Sequence, residues 1–442
     1  MLKKWSYQYL LRDKLSSARR FCRQFESLSI RADIENFQVD KFNDIWRIAR
    51  TNIPFYINWQ REYDLPDVIS SLEELQKWPV LKKTDLREVS LFDRKDVQKP
   101  RGMLRTSGST GEPLCLPVWG DPVDGLAQIV GRWAYGVGPG CRTFLLWGHR
   151  HLYGTGWRCK LNMLKRSIKD YVADWKRVSA YDLGADAMRR AYNVFCKFKP
   201  EFVIGFSAAI ITFCRRNKQY AGVVRSVRTV LCTAGPLTYD EKTEIENFFG
   251  AKVCMEYGSV ECSVMAYTRP EDDRYSVFWN THLLQAQRQP DGELKNIVTR
   301  FAKSYIPLIR YDIGDCLDLG NASECDIVDA ERSTLRFCSV KGRPNEMLQF
   351  ASGVSFFGAI VGDCVKQVPG VIASQIAVNE EDDKLEVRIV ADHLITEDEK
   401  RLIANRLDLT ISHIDRLHLT VRQLESLPVT KGGKTLRVVR MC

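Results

Sequence analysis

Between Phe202 and Glu256 short apolar runs alternate with amphipathic ones, and this stretch constrains the fold more than any other. Phe202 to Cys214 reads as a strand, a turn and a helix, and Ser226 to Thr233 as a second strand. Thr238 to Phe249 follows as a helix with Thr238 at its N-cap, and Lys252 to Glu256 as a third strand. A strand, helix, strand series predicts a mostly parallel α/β sheet. Ligands of such sheets lie outside the carboxyl ends of the strands. That rule singles out two loops, Thr233-Ala-Gly-Pro236 and Tyr257-Gly-Ser-Val-Glu261.

The rest of the chain is arranged around this core. At 442 residues and 45% hydrophobic content it exceeds the usual size of one domain. Residues 1–100 read as a helical prelude, 101–344 as the α/β core, and 345–442 as a smaller α+β domain. That last domain is expected to carry strands at Ile372 to Val378 and Leu385 to Val390 and a capped helix from Thr396 to Arg406. The first 28 residues form a basic amphipathic pattern, with Trp5, Leu11, Leu15, Ala18, Cys22 and Phe25 between seven Lys and Arg residues. Such a helix suits either an anionic inner-membrane surface or packing on the protein body. A net charge of +10 admits nucleic acid, membrane or polyphosphate partners. Basic residues are nevertheless spread among acids, with no reading helix or aromatic platform, which sets nucleic acid aside. No run of about 18 apolar residues exists, and Lys3, Lys4, Arg12 and Lys14 break any signal-peptide core, so a cytoplasmic location is expected. The 14 cysteines include no C-x-x-C pair and sit mostly in apolar segments, as buried free thiols do.

Three glycine-rich segments invite chemistry. In Thr106-Ser-Gly-Ser-Thr-Gly111, Gly108 and Gly111 let successive N–H groups turn into an anion nest, and Thr106, Ser107, Ser109 and Thr110 add hydroxyl donors. Glu112-Pro113 follow where a Walker A loop needs Lys-Ser/Thr, so on composition alone this is a Ser/Gly surface loop or a phosphate cradle. Gly136-Val-Gly-Pro-Gly140 fails as a dinucleotide fingerprint, because Cys141 replaces the last glycine and the order is wrong. Gly205-Phe206-Ser207-Ala208-Ala209 is one glycine short of a nucleophile elbow. A serine hydrolase would draw its base from His282, His393, His413 or His418, none in a distinctive setting.

In their order and spacing, Thr106-Ser-Gly-Ser-Thr-Gly111, Tyr257-Gly-x-x-Glu261, Arg310-Tyr-x-x-Gly-Asp315, Gly342-Arg343 and Pro428 to Arg437 resemble the adenylate-forming acid:CoA ligase superfamily. The likeness is nearer to its phenylacetate-CoA ligase branch, which includes proteins of capsular polysaccharide loci. It implies a large N-terminal α/β domain with mostly parallel sheets and a small mobile α+β C-terminal domain carrying the catalytic lysine. It also implies that Thr106 to Gly111 hold the ATP phosphates and that adenine stacks between Tyr257 and the backbone of Ala234, Gly235 and Pro236, beside Gly258 and Ser259. Glu261 would hold Mg²⁺, Asp315 both ribose hydroxyls, and Arg343 the ribose-phosphate region. Lys434 corresponds to the family's lysine, with Lys431 its rival, and Asn345 to the hinge at which the small domain swivels. The acid pocket is expected around Trp147, His149, Gly205, Phe206 and Ser207, whose aromatics suit an apolar acid.

The implied reaction joins a carboxylic acid to coenzyme A through an acyl adenylate. The alternative acceptor is an amine, such as an amino sugar in surface polysaccharide assembly. This chain departs from the pattern at Val260, where a hydroxyl residue is usual, at Asn345, where an acid is usual, and at Glu112, where a basic residue is usual. Val260 and Asn345 also admit a nucleotide-binding sensor. Cys316 and Cys325 lack the tight pairing of the zinc cluster some relatives carry, so no zinc is expected.

Overall fold

A computed structural model describes residues 12–88, 92–94, 102–105, 114–118, 122–138, 140–147, 156–180, 183–302, 304–341, 347–365, 368–428 and 438–441. Its centre is an eight-stranded sheet. From one edge the strands are Arg336–Phe337, Asp272–Val277, Ser263–Arg269, Lys252–Ser259, Thr229–Thr233, Phe202–Phe206, Thr143–Leu146 and Trp175–Val178. The last five of these run parallel, and the first three join antiparallel.

Both faces of the inner parallel strands are covered, so Thr143–Leu146, Phe202–Phe206 and Thr229–Thr233 read as mostly apolar runs, whereas the edge strand Trp175–Val178 does not. On one face Val203, Val230 and Val253 meet Phe195, Phe213 and Phe249, which come from the helices Ala185–Phe198, Ser207–Arg216 and Tyr239–Phe249. On the other, Phe202, Ile204, Leu231 and Cys254 meet Leu126, Ala127 and Val130 of the helix Pro122–Ala134. Local signals set the helix ends. Thr238 and Glu241 form a reciprocal capping box, and Gly250, at φ +64°, closes the same helix in a left-handed conformation that a glycine adopts without strain.

The N-terminal helices lie on this body. Arg12–Ser27 buries Ala18, Phe21 and Phe25 against helix Pro122–Ala134, Phe278 and Trp279. The apolar stripe legible in the sequence is thus a packing stripe over the described residues, with Arg12, Arg19, Arg20 and Arg23 outward. Trp46 of helix Arg31–Asn52 and Tyr56 and Trp59 of helix Pro54–Glu62 form an aromatic cluster with Trp78 and Phe92 from the chain that follows. Tyr56 donates to the Pro307 carbonyl, and Leu81 pairs with Tyr311, so the prelude is stitched to the strand that carries Asp315.

A second, four-stranded antiparallel sheet, in the order His282–Arg288, Leu294–Arg300, Tyr311–Asp318 and Ser339–Lys341, has no counterpart in the sequence reading. Its inner positions include His282, Gln285, Asn296, Thr299 and Arg300, all buried. Those polar residues interrupt the apolar pattern by which a buried strand is recognised.

The smaller domain pairs Val371–Asn379 with Lys384–Ala391 as an antiparallel hairpin, flanked in parallel by Val438–Arg440 and His418–Gln423. Helix Glu397–Asp408, capped by Thr396 with Glu399, packs Ile403 and Leu407 into its core. A small hairpin, Met347–Gln349 with Ser355–Phe357, bonds to this unit through Glu380. The expected domain boundary at 345 lies outside the described residues.

Candidate active site

The strand Thr143–Leu146 lies between Trp175–Val178 and Phe202–Phe206. From it the chain first moves outward through helix Gly156–Val172, then returns through Ala185–Phe198. Right-handed crossovers in opposite directions put these helices on opposite faces and open a crevice at the carboxyl ends of the two neighbouring strands. Trp147 and Phe206 stand at that point with ring centroids 4.6 Å apart. Gly205 is required there, because a Cβ would sit 2.7 Å from Leu146 Cβ. The structure therefore brings Trp147, Gly205 and Phe206 of the expected acid pocket together.

Ser207 is buried and serves the next loop. Its hydroxyl donates to the Gly235 carbonyl at 2.6 Å and lies 3.2 Å from that of Thr233. A hydroxyl bonded to two carbonyls is not paired with a base, which removes the nucleophile that a serine hydrolase needs. The loop it holds starts with Ala234 at φ +64°, and Thr233 donates through Oγ1 to the Glu256 carbonyl at 3.1 Å, tying the two strand-end loops together.

Tyr257 joins those loops to the second sheet. Its hydroxyl donates to Asp315 Oδ2 at 2.9 Å and accepts from Asn296 Nδ2 at 3.0 Å. Burial, with the Asp315 carboxylate beside it, raises the phenol's pKa well above its ordinary value, so Tyr257 remains a neutral donor. A bulge aims Asp315. Lys295 pairs with Cys316 and Ile297 with Asp312, so Ile313, Gly314 and Asp315 together oppose Asn296 alone. Asp312 shapes this bulge by accepting from the Gly314 N–H at 2.9 Å and from Lys295 at 3.1 Å.

Glu261 rides on the turn between strands Lys252–Ser259 and Ser263–Arg269. Gly258 permits the turn, since a Cβ there would lie 2.5 Å from the Ser263 carbonyl. Ser259 Oγ accepts from the Cys262 N–H at 3.0 Å, and the Cys262 carbonyl lies 2.8 Å from His282 Nε2. Burial holds His282 down to about 3, with Arg300 adding to the effect, so the ring is neutral. Its Nε2–H donates to Cys262, and its Nδ1 accepts from the Thr281 hydroxyl at 3.0 Å. The turn is thus fixed on both sides, and the half-buried Glu261 carboxylate has no hydrogen-bond partner among the described residues.

Sequence reasoning missed Asn296, the turn-holding role of His282 and the loop-holding role of Ser207. Buried polar positions in otherwise apolar strands were the available signal. Thr106 to Gly111, His149, Arg343, Asn345 and Lys434 lie outside the described residues. On either side of Thr106 to Gly111 in sequence, Gly102–Arg105 pairs antiparallel with Cys115–Val118 and sets Arg105 opposite Cys115. Among the described residues no group of three or more His, Cys, Asp or Glu side chains is arranged to hold a metal ion.

No protein-family profile matches the chain. In sequence it is similar to Protein CapK of Staphylococcus aureus, 20% identical over 422 residues, which span 91% of this chain and 88% of that one. It is also similar to two phenylacetate-coenzyme A ligases. That of Escherichia coli is 23% identical over 348 residues and 74% of each chain, and that of Thermus thermophilus is 23% identical over 92% of this chain and 97% of its own. In structure it is similar to 2-hydroxyisobutyryl-CoA ligase in complex with 2-HIB-AMP and CoA, at a TM-score of 0.57 and 17% identity, over 92% of this chain and 90% of that one. An open conformation of the same ligase gives a TM-score of 0.53. The shared fold is a large α/β domain followed by a separate smaller one.

Proposed function

We propose, from the chain's membership of the adenylate-forming superfamily in its phenylacetate-CoA ligase and CapK branch, that it is an AMP-forming carboxylic acid ligase. The carboxylate attacks the α-phosphorus of ATP, pyrophosphate leaves, and the thiol of coenzyme A then attacks the acyl carbonyl as AMP departs. The observation that carries this reading is the Asn296, Tyr257, Asp315 chain at the carboxyl ends of the central strands. A carboxylate has about four lone-pair sites. Asp315 can therefore accept from Tyr257 and still take the ribose hydroxyls, while Ala234, Gly235 and Pro236 offer adenine a flat backbone.

The remaining roles follow the resemblance. Thr106 to Gly111 cradle the β- and γ-phosphates, and Arg343 adds a donor near the ribose. Glu261, without a hydrogen-bond partner among the described residues, is an oxygen ligand on a fixed turn, which suits Mg²⁺, a hard cation that takes oxygen ligands. When bound, that ion neutralises phosphate charge. Lys434 supplies the cation where two anions meet, at the α-phosphate and the attacking carboxylate. For the lysine to enter and leave, the small domain swivels at Asn345. The acid lies in the crevice of Trp147, Gly205 and Phe206, beside His149, which favours an apolar or aromatic one.

Incubation with ATP, Mg²⁺ and a panel of acids, followed through pyrophosphate release and hydroxylamine trapping, tests the reading. Hydroxamate from at least one apolar acid is expected, with the acyl group passing to coenzyme A. ATP binding without hydroxamate from any acid would make the protein a nucleotide sensor. Transfer to an amino sugar and not to coenzyme A would make it an amide ligase of surface polysaccharide assembly.

A further inference from the structure

The helix Gly156–Val172 turns its apolar side outward. Leu161, Leu164, Ile168 and Tyr171 are 41%, 58%, 55% and 66% exposed. Spaced three and four residues apart, they form one stripe about 15 Å long. Exposed lysines flank it, Lys160 on one side and Lys165 and Lys169 on the other. The helix's one acid faces the protein, since Asp170 accepts from Arg177 at 3.0 and 3.2 Å and has Arg166 within 3.5 Å. An outward face that is apolar at its centre and cationic along both edges is the reverse of an ordinary solvated helix.

We propose that this helix docks the enzyme on an anionic lipid bilayer. It lies in the plane of the headgroups, with the four apolar side chains directed at the acyl boundary and the lysines reaching to the phosphates. Tyr171, apolar in body and polar at its tip, suits that depth. Charge excludes a second copy of the chain, because pairing two such stripes would align lysines along one seam with no acid to meet them. The fold adds charge on the same side. Crossover handedness puts Gly156–Val172 on the sheet face that carries Pro122–Ala134, over which Arg12–Ser27 exposes Arg12, Arg19, Arg20 and Arg23. That arginine helix has already buried its apolar stripe, so it adds attraction without insertion. The inference is independent of which acid or acceptor the enzyme uses.

Co-sedimentation of the full chain with vesicles of phosphatidylcholine alone or mixed with phosphatidylglycerol tests it. Binding is expected to the mixed vesicles only, weakening as salt rises. Replacing Lys160, Lys165 and Lys169 together by Ala should lower partitioning on the order of a hundredfold. Leu164→Glu with Ile168→Glu should abolish it, and Leu164→Ser with Ile168→Ser should weaken it. All are exposed positions, so circular dichroism and pyrophosphate release in the absence of lipid should match the parent. Failure of the parent to bind mixed vesicles overturns the proposal. So does undiminished binding by the variants, which would leave the contact to the arginine helix. A parent dimer in light scattering that the Glu variant dissolves would assign the stripe to self-association.

Discussion

His282 offers a test of the turn that presents Glu261. The imidazole is 3% exposed, and burial together with Arg300 lowers its pKa from 6.5 to about 3. The only opposing effect is the bond to the Cys262 carbonyl. A basic group with a depressed folded-state pKa binds its proton more readily when the chain is unfolded. Its contribution is therefore complete above the unfolded value of 6.5 and is lost as pH falls towards about 3. The gap, at about 1.4 kcal/mol per pH unit, limits the loss to about 5 kcal/mol, of which about 2 kcal/mol is gone at about pH 5. His282→Gln retains a neutral donor for Cys262 that cannot titrate. Denaturant unfolding near about pH 7.5 and about pH 5 should show the parent losing about 2 kcal/mol more than the variant. Parallel losses in the two proteins would refute a neutral, buried His282. His282→Ala, which orphans the carbonyl, should be destabilised by about 1–3 kcal/mol at both pH values.

Tyr257→Phe removes the donor to Asp315 and the acceptor of Asn296. A rise in the KM for ATP of about three- to tenfold is expected, with about 1–3 kcal/mol lost from unfolding stability, and an unchanged KM would detach this network from nucleotide binding. Lys434→Ala should abolish adenylate formation while sparing transfer from a supplied acyl adenylate, and equal loss of both half-reactions would remove its assigned role.

Much of the fold was legible because local signals and tertiary structure agree. Thr238 with Glu241 and Thr396 with Glu399 close capping boxes at helix starts expected from the sequence alone. Phe202–Phe206 and Thr229–Thr233 were recognisable as apolar runs because helices cover both faces, whereas the edge strand Trp175–Val178, which carries Lys176 and Arg177, was not. Agreement fails at Lys252 to Glu256, which continues to Ser259 and folds back antiparallel as Ser263–Arg269. The tight turn there depends on Gly258 meeting the Ser263 carbonyl, an approach no spacing reveals. It fails more broadly in the second sheet, where buried polar side chains pair across strands and break the apolar pattern.

The same division runs through the candidate site. Tyr257, Glu261 and Asp315 belong to the short motifs that carry the resemblance. Asn296 and His282 belong to none. Asn296 reaches Tyr257 across 39 residues of chain, and Tyr257 reaches Asp315 across 58. What such a supporting residue must supply is one donor at one point in space. Several residue types can do that, so the requirement leaves a geometric trace and only a faint compositional one. A buried Asn whose oxygen lacks a partner among the described residues is that trace. Its desolvation is offset only if the donor it gives Tyr257 is needed, and Tyr257 needs it because its own proton is committed to Asp315. The polar interruptions that hid the second sheet thus include Asn296, the residue that holds Tyr257 against Asp315.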